Sequence, residues 1–317
     1  MHGSIADGLS NSFPTRFAVC VLAVIAACAA FSPTPCVANS AEDRKQSAED
    51  AAKEAAEIEW LSDYSEAMKV ARDEGKMLLV YFDSPSDRLS RRFETETLTD
   101  AKVREGLEEY VCVRLPLDAT IGCKGKEIKL LRHGAFKEML GRPGIAVVDF
   151  ASDCDQLNGA VVSTFPLTEA LFYTPSRMSV ILDLPLASLT QRTMIYAVRI
   201  HRERPASTNG DISPYLLEAS RRHSDHQARI RQQGHHNWNS RFHRITASLP
   251  AGLTAVEVCA ESWPGEGMVE AAVECVRCWR FSSGHWRSVR AYHPLYGYDM
   301  QRGSNGIWYG TGIFGRR

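Results

Sequence analysis

No lysine follows Lys137, no cysteine lies between residues 37 and 111, and no apolar run reaches the length of a membrane span. The cysteine gap excludes thiolate chemistry from that whole stretch. The longest apolar run, Phe17 to Phe31, is short of the roughly 20 residues a spanning helix needs. No His-Glu-x-x-His pair marks a metalloprotease helix, and no aspartate-oriented Ser-His triad can be drawn. The lysine gap has a counterpart: eight of the ten histidines lie after Arg199. From Arg199 onward there are sixteen arginines against ten acidic residues, whereas the whole chain has a net charge of −1. Such a shift in composition predicts two modules. The arginines are scattered, so no nucleic-acid footprint is expected.

What is present begins with an address. Arg16 precedes the apolar run, and Pro33, Pro35 and small residues near Ala38 follow it. This is the layout of a signal peptide over residues 1–38, and it predicts export to a secreted or periplasmic location. Left uncleaved, the segment would be the chain's one membrane contact. Cys36 lacks a lipobox lead-in. Residues 39–58 are charged and Ala-rich and read as a linker. Cleavage leaves Cys112, Cys123, Cys154, Cys259, Cys275 and Cys278, three in each half. Disulfides and buried free thiols both remain open, including a bridge from the Cys275–Cys278 helix to Cys259.

Hydrophobic at 44%, the chain can bury real cores. Asp63 caps a predicted helix that Gly75 ends, and Met77–Phe82 is a buried strand. Helices through Phe93 and over 100–107, a strand over 110–115, a helix over 128–140, paired strands over 144–150 and 159–165, and a helix over 186–198 complete the first module. This order, with Pro143 just before a strand, resembles the thioredoxin-like fold over residues 59–200. The resemblance implies a cis Pro143 beside the redox pair. The family's Cys-x-x-Cys, however, falls here at Asp87-Arg-Leu-Ser90, so the module is predicted to be redox-silent, with Asp87 and Ser90 as helix caps.

Residues 201–211, rich in Pro, Ser, Asn and Gly, read as a linker. An amphipathic helix is expected over 212–232, with His223 on its apolar face. The segment GHHNWNSRFHRI follows, then a loop carrying Glu261, a helix over 267–281 ending at Ser282-Ser283-Gly284, His285, and a hairpin turning at Ser304-Asn305-Gly306.

His223-Ser224, His236, Arg244-Ile245, Glu261, then Trp279, Ser282, Gly284 and His285, and finally Tyr309 and Thr311 stand in one order. That order resembles the CAP superfamily (cysteine-rich secretory, antigen-five and pathogenesis-related proteins), in its bacterial branch, over residues 212–317. The resemblance implies an α+β fold, an α-β-α sandwich, with a polar cleft of His236, Glu261, Ser282, His285 and Tyr309. The eukaryotic two-His, two-Glu tetrad is incomplete: Ser282 and Tyr309 take the places of its second Glu and second His. Three readings of the cleft stay open. His236, Glu261 and His285 can hydrogen-bond one another as a polar core. His236 and His285 can hold zinc, although no cofactor is expected. Glu261 can act as a general base. The expectation is an exported, non-enzymatic binding protein for a small ligand, glycan, lipid or extracytoplasmic protein. The alternative is a metal-assisted hydrolase.

Overall fold

The computed structural model describes residues 57–123 and 125–317, so the signal segment and most of the charged linker lie outside the described residues. The first sheet is built around Met77–Asp83 (β2), in which all seven residues are buried, as its continuous apolar run requires. Trp60–Leu61 (β1) and Tyr110–Pro116 (β3) lie parallel in order β1-β3-β2. Gly144–Val148 (β6) and Val161–Pro166 (β7) continue the sheet antiparallel. Tyr64–Glu74 (α1), Arg88–Glu96 (α2) and Ala101–Leu107 (α3) each begin on an aspartate whose carboxylate accepts backbone N–H groups: Asp63, Asp87 and Asp100. Gly75 ends α1 at φ 63°, a left-handed conformation that glycine adopts without strain.

Several elements differ from the expectation. Residues 128–140 are not one helix. Thr120–Cys123 (β4) and Lys126–Lys129 (β5) form a hairpin, followed by 3₁₀ turns Leu130–Arg132 and Gly134–Met139. His133 is extended between the turns and breaks the helix, although Leu130, Leu131, Phe136 and Met139 still reach the core. A helix not anticipated, Pro175–Leu182 (α4), precedes Leu189–Arg199 (α5). The 201–211 segment is packed rather than a free linker. Ser207 is fully buried, its N–H donates to Val289 O, and its hydroxyl lies 2.7 Å from the Tyr298 hydroxyl.

The second sheet has the order β8-β10-β11-β9, from Asp211–Ile212 (β8), Thr254–Glu261 (β9), Leu295–Arg302 (β10) and Trp308–Arg316 (β11). Pro214–Ile230 (α6) and Trp238–Ala247 (α7) cover one face. On the other face lie α5, Met268–Phe281 (α8) and Ser283–Arg290 (α9). Helix α5 therefore packs on β7 of the first sheet and on β10 and α8 of the second. One apolar core runs from Leu79 and Phe165 through Met194 and Tyr196 to Trp279 and Phe314. No helix among the described residues is long and apolar enough to cross a membrane.

Because both sheets share α5, residues 57–317 are expected to melt in one cooperative calorimetric transition. Met194→Ala should lower that stability by about 2–5 kcal/mol without splitting the transition, the usual cost of a core cavity. Two resolved transitions would contradict a shared core.

Candidate functional site

At the degenerate redox position, the Asp87 carboxylate caps α2 by accepting from Ser90 N at 2.9 Å. Ser90 is not a cap. It is fully buried, and its hydroxyl donates to Asp83 Oδ1 at 3.1 Å while lying 2.7 Å from the Tyr81 hydroxyl. Arg114 ties the group together, donating to Asp83 at 2.6 Å and Glu94 at 2.8 Å. Burial pushes the Tyr81 phenol up, so it stays protonated. This network is saturated with hydrogen bonds and offers no nucleophile. Pro143 is buried, and its carbonyl accepts from Leu167 N at 2.8 Å.

The second site is built on β9, the edge strand. Alternation along β9 sends Ala255, Glu257 and Cys259 to the α6–α7 face and Val258 and Ala260 to the α8 face. Glu257 is buried, and Arg241 of α7 clamps it: Nη2 donates to Oε1 at 2.8 Å and Nη1 to Oε2. Hydrogen bonds from Arg241 and His235, with the nearby His223, hold its pKa below the usual carboxylate range, although burial alone would raise it. His235 Nδ1 lies 2.9 Å from Oε1, and its Nε2 lies 3.1 Å from His285 Nε2. An ionised carboxylate only accepts, so His235 carries its proton on Nδ1, and His285 donates through Nε2. His285 reaches this pair from α9, around the strand edge.

His223 lies beneath, buried, with Nε2 2.9 Å from Gly234 O, which assigns the ring proton to Nε2. Burial pushes its pKa down to about 4, so it is neutral near pH 7. Gln227 fixes the same loop, accepting from Gly234 N at 3.1 Å and donating to Thr311 Oγ1 at 3.0 Å.

Among the predicted site residues, only His285 joins this cluster. His236 points away from it: Nε2 lies 3.2 Å from Gln232 O, and its ring packs 5.5 Å from that of His226. Adjacent loop residues diverge, so His235 takes the place expected of His236, and His236 and His285 do not converge. Glu261 is the last residue of β9, not a loop residue, and it is exposed. Its position, four residues beyond Glu257, is about 13 Å along the strand. Ser282 joins α8 to α9. Tyr309 is fully buried at the hairpin turn, where its hydroxyl accepts from Asn305 Nδ2 at 2.8 Å. Sequence reading missed Glu257, Arg241 and His235. The period-two pattern of β9 and the tandem His235-His236 were the signals that could have found them.

His223, Glu257 and Cys259 place ligand atoms within 4.8 Å of one another. The donor set does not suit a dication. His223 Nε2 donates to a carbonyl, Arg241 occupies the carboxylate and lies 3.3 Å from the same nitrogen, and burial holds the Cys259 thiol well up. Nor is there an activated thiol: Cys259 Sγ is 3.7 Å from His235 Nδ1, which is committed to Glu257. Cys112, Cys154, Cys259, Cys275 and Cys278 are all free. The sheet lies between Cys259 and the α8 pair, which rules out the bridge considered from the sequence.

Beside the cluster, α6 and α7 enclose a cleft of ≈ 490 Å³, walled by His223, His226, His236, Arg222, Arg241, Arg244, Glu218 and Tyr215 among others.

A family model described as thioredoxin-like matches residues 59–136, which run from β1 to the second 3₁₀ turn. No curated protein matches the chain.

The low pKa of His223 has a calculable consequence. Its folded value, about 4, lies below the ordinary 6.5. The unfolded chain therefore binds more protons between those limits, and this contribution to stability, complete above pH 6.5, is lost as the pH falls toward 4. His223→Gln should flatten the pH dependence of the unfolding free energy measured by urea titration across that window. An unchanged slope would contradict the neutral, buried assignment.

Proposed function

We propose that this protein is an exported, non-enzymatic binding protein whose thioredoxin-like part is a redox-silent scaffold and whose CAP-like second part takes a ligand in the α6–α7 cleft. The carrying observation is the Arg241 clamp on Glu257. It commits the buried carboxylate to an ion pair and leaves it no proton to move and no free face for a substrate. The saturated Ser90 network supports the same reading for the first part. The CAP-like assignment draws on the motif order from His223 to Thr311 and on the layering of helices over both faces of the second sheet. Export draws on the Arg16–Ala38 segment. At ≈ 490 Å³ the cleft is in the range of small-molecule sites, so a small ligand, or the headgroup or terminal unit of a lipid or glycan, suits it better than a nucleic acid.

Calorimetric titration of a small-ligand panel into the tag-free protein should find saturable binding at one site per chain. Ala219→Trp, which fills the cleft, should abolish it. Insulin reduction and ester, peptide or phosphoester hydrolysis should stay at background, and metal analysis should find less than stoichiometric zinc. Turnover, or one zinc per chain, lost on His285→Ala or His235→Ala would overturn this reading in favour of a metal-assisted hydrolase.

A further inference from the structure

The walls of the α6–α7 cleft carry three guanidinium groups, Arg222, Arg241 and Arg244, against one carboxylate, Glu218. That carboxylate is already taken: Arg221 donates to it at 2.7 Å and Arg222 at 2.6 Å. Their hydrogen bonds hold the Glu218 pKa down at about 2, so it stays ionised and paired. Arg241 is likewise committed to Glu257. Arg244 differs. It is exposed on α7, lines the cleft, and has no carboxylate partner among the described residues. The local balance of the cleft is therefore positive, with Arg244 as its uncompensated charge.

Two further features agree. His226 and His236 face the same space, their ring centroids 5.5 Å apart. The neutral His226 ring can donate a hydrogen bond to an oxyanion, whereas the neutral His236 ring commits its one N–H to Gln232 O and lines the space with its edge. Helix α7 also starts at this cleft, with Asn237 at φ 54°, no acidic residue in its first turn and no side-chain cap, so its N–H groups add to the positive potential. Tyr215, Ala219 and Ile245 add apolar surface to the same lining.

We infer that the α6–α7 cleft binds a ligand bearing a phosphate-class oxyanion on an apolar or aromatic body, with Arg244 as the principal anion contact and His226 as a supporting donor. This rests on the cleft being the ligand site. The oxyanion can belong to a soluble phosphoester or to an anionic lipid headgroup, and the test separates them.

Phenyl phosphate, inorganic phosphate and neutral benzyl alcohol would be titrated calorimetrically into the full chain. Phenyl phosphate should bind at one site per chain, at least tenfold tighter than benzyl alcohol, and more weakly as salt is raised. Arg244→Glu should lower its affinity at least tenfold with little change in melting temperature, because Arg244 is exposed. Arg132→Glu, outside the cleft, should leave the affinity unchanged. Co-sedimentation with phosphatidylglycerol but not phosphatidylcholine vesicles, competed by phenyl phosphate, would assign the oxyanion to a lipid headgroup. Binding of phenyl phosphate without sedimentation would assign it to a soluble ligand. Equal affinity for phenyl phosphate and benzyl alcohol, or an unchanged Arg244→Glu, overturns the anion inference while leaving a ligand cleft. No binding by any probe overturns the anion inference, and an Ala219→Trp variant that also leaves the wider ligand panel unaffected would remove the cleft reading itself.

Discussion

The buried carboxylate of Glu257 is the constraint around which the second part of the molecule is arranged. An ionised carboxylate taken out of water is costly unless charge and hydrogen bonds replace the lost solvent. Arg241 supplies both, and in doing so fixes α7 against β9. Arg241 also donates to His236 O at 3.0 Å, which holds the 232–237 loop. With that loop held, His235 meets Glu257 and His285, while His223 meets Gly234. Both faces of β9 are thus covered. The cleft between α6 and α7 has its shape because α7 is pinned there. The structural ion pair and the cleft are one arrangement, with the rigid pair on the inside and uncompensated Arg244 on the outside.

The two sheets do not behave as beads on a string. Helix α5 closes the first sheet and is at the same time a layer of the second, and the Phe165–Tyr196 ring contact at 4.7 Å continues into the core around Trp279. Helix α5 packs on β10 of the cleft-bearing sheet and on α8. Asp87 caps the start of α2, and Ser90 is tied to Asp83 and Tyr81.

Much of the framework was legible from the chain. Continuous apolar runs marked β2 and β6, aspartates marked the starts of α1 to α3, and the Ser304–Gly306 turn marked the β10–β11 hairpin. The failures share a physical cause. Over 128–140 the apolar spacing suits a helix, but the extended backbone at Lys129 and His133 cuts it into short turns. Helix α9 was hidden because Ser282-Ser283-Gly284 looks like a stop, yet Ser282 ends one helix and begins the next. The site was displaced by small steps with large consequences. Glu261 and Glu257 lie on the same strand, and only burial against α7 distinguishes them. His235 and His236 are neighbours, and the Gln227–Gly234 tether together with the Arg241 hydrogen bond to His236 O holds the loop with His235 toward the carboxylate.

The most direct test of the central claim is a double-mutant cycle on Arg241 and Glu257, read by urea unfolding at neutral pH. Arg241→Met and Glu257→Leu should each cost about 3–5 kcal/mol, because each strands the other group in a buried site. The double variant should cost clearly less than the sum, a coupling above about 1 kcal/mol, with α6 and α7 still packed. Additive losses, or single variants as stable as the parent, would show that the clamp does not hold the cleft together.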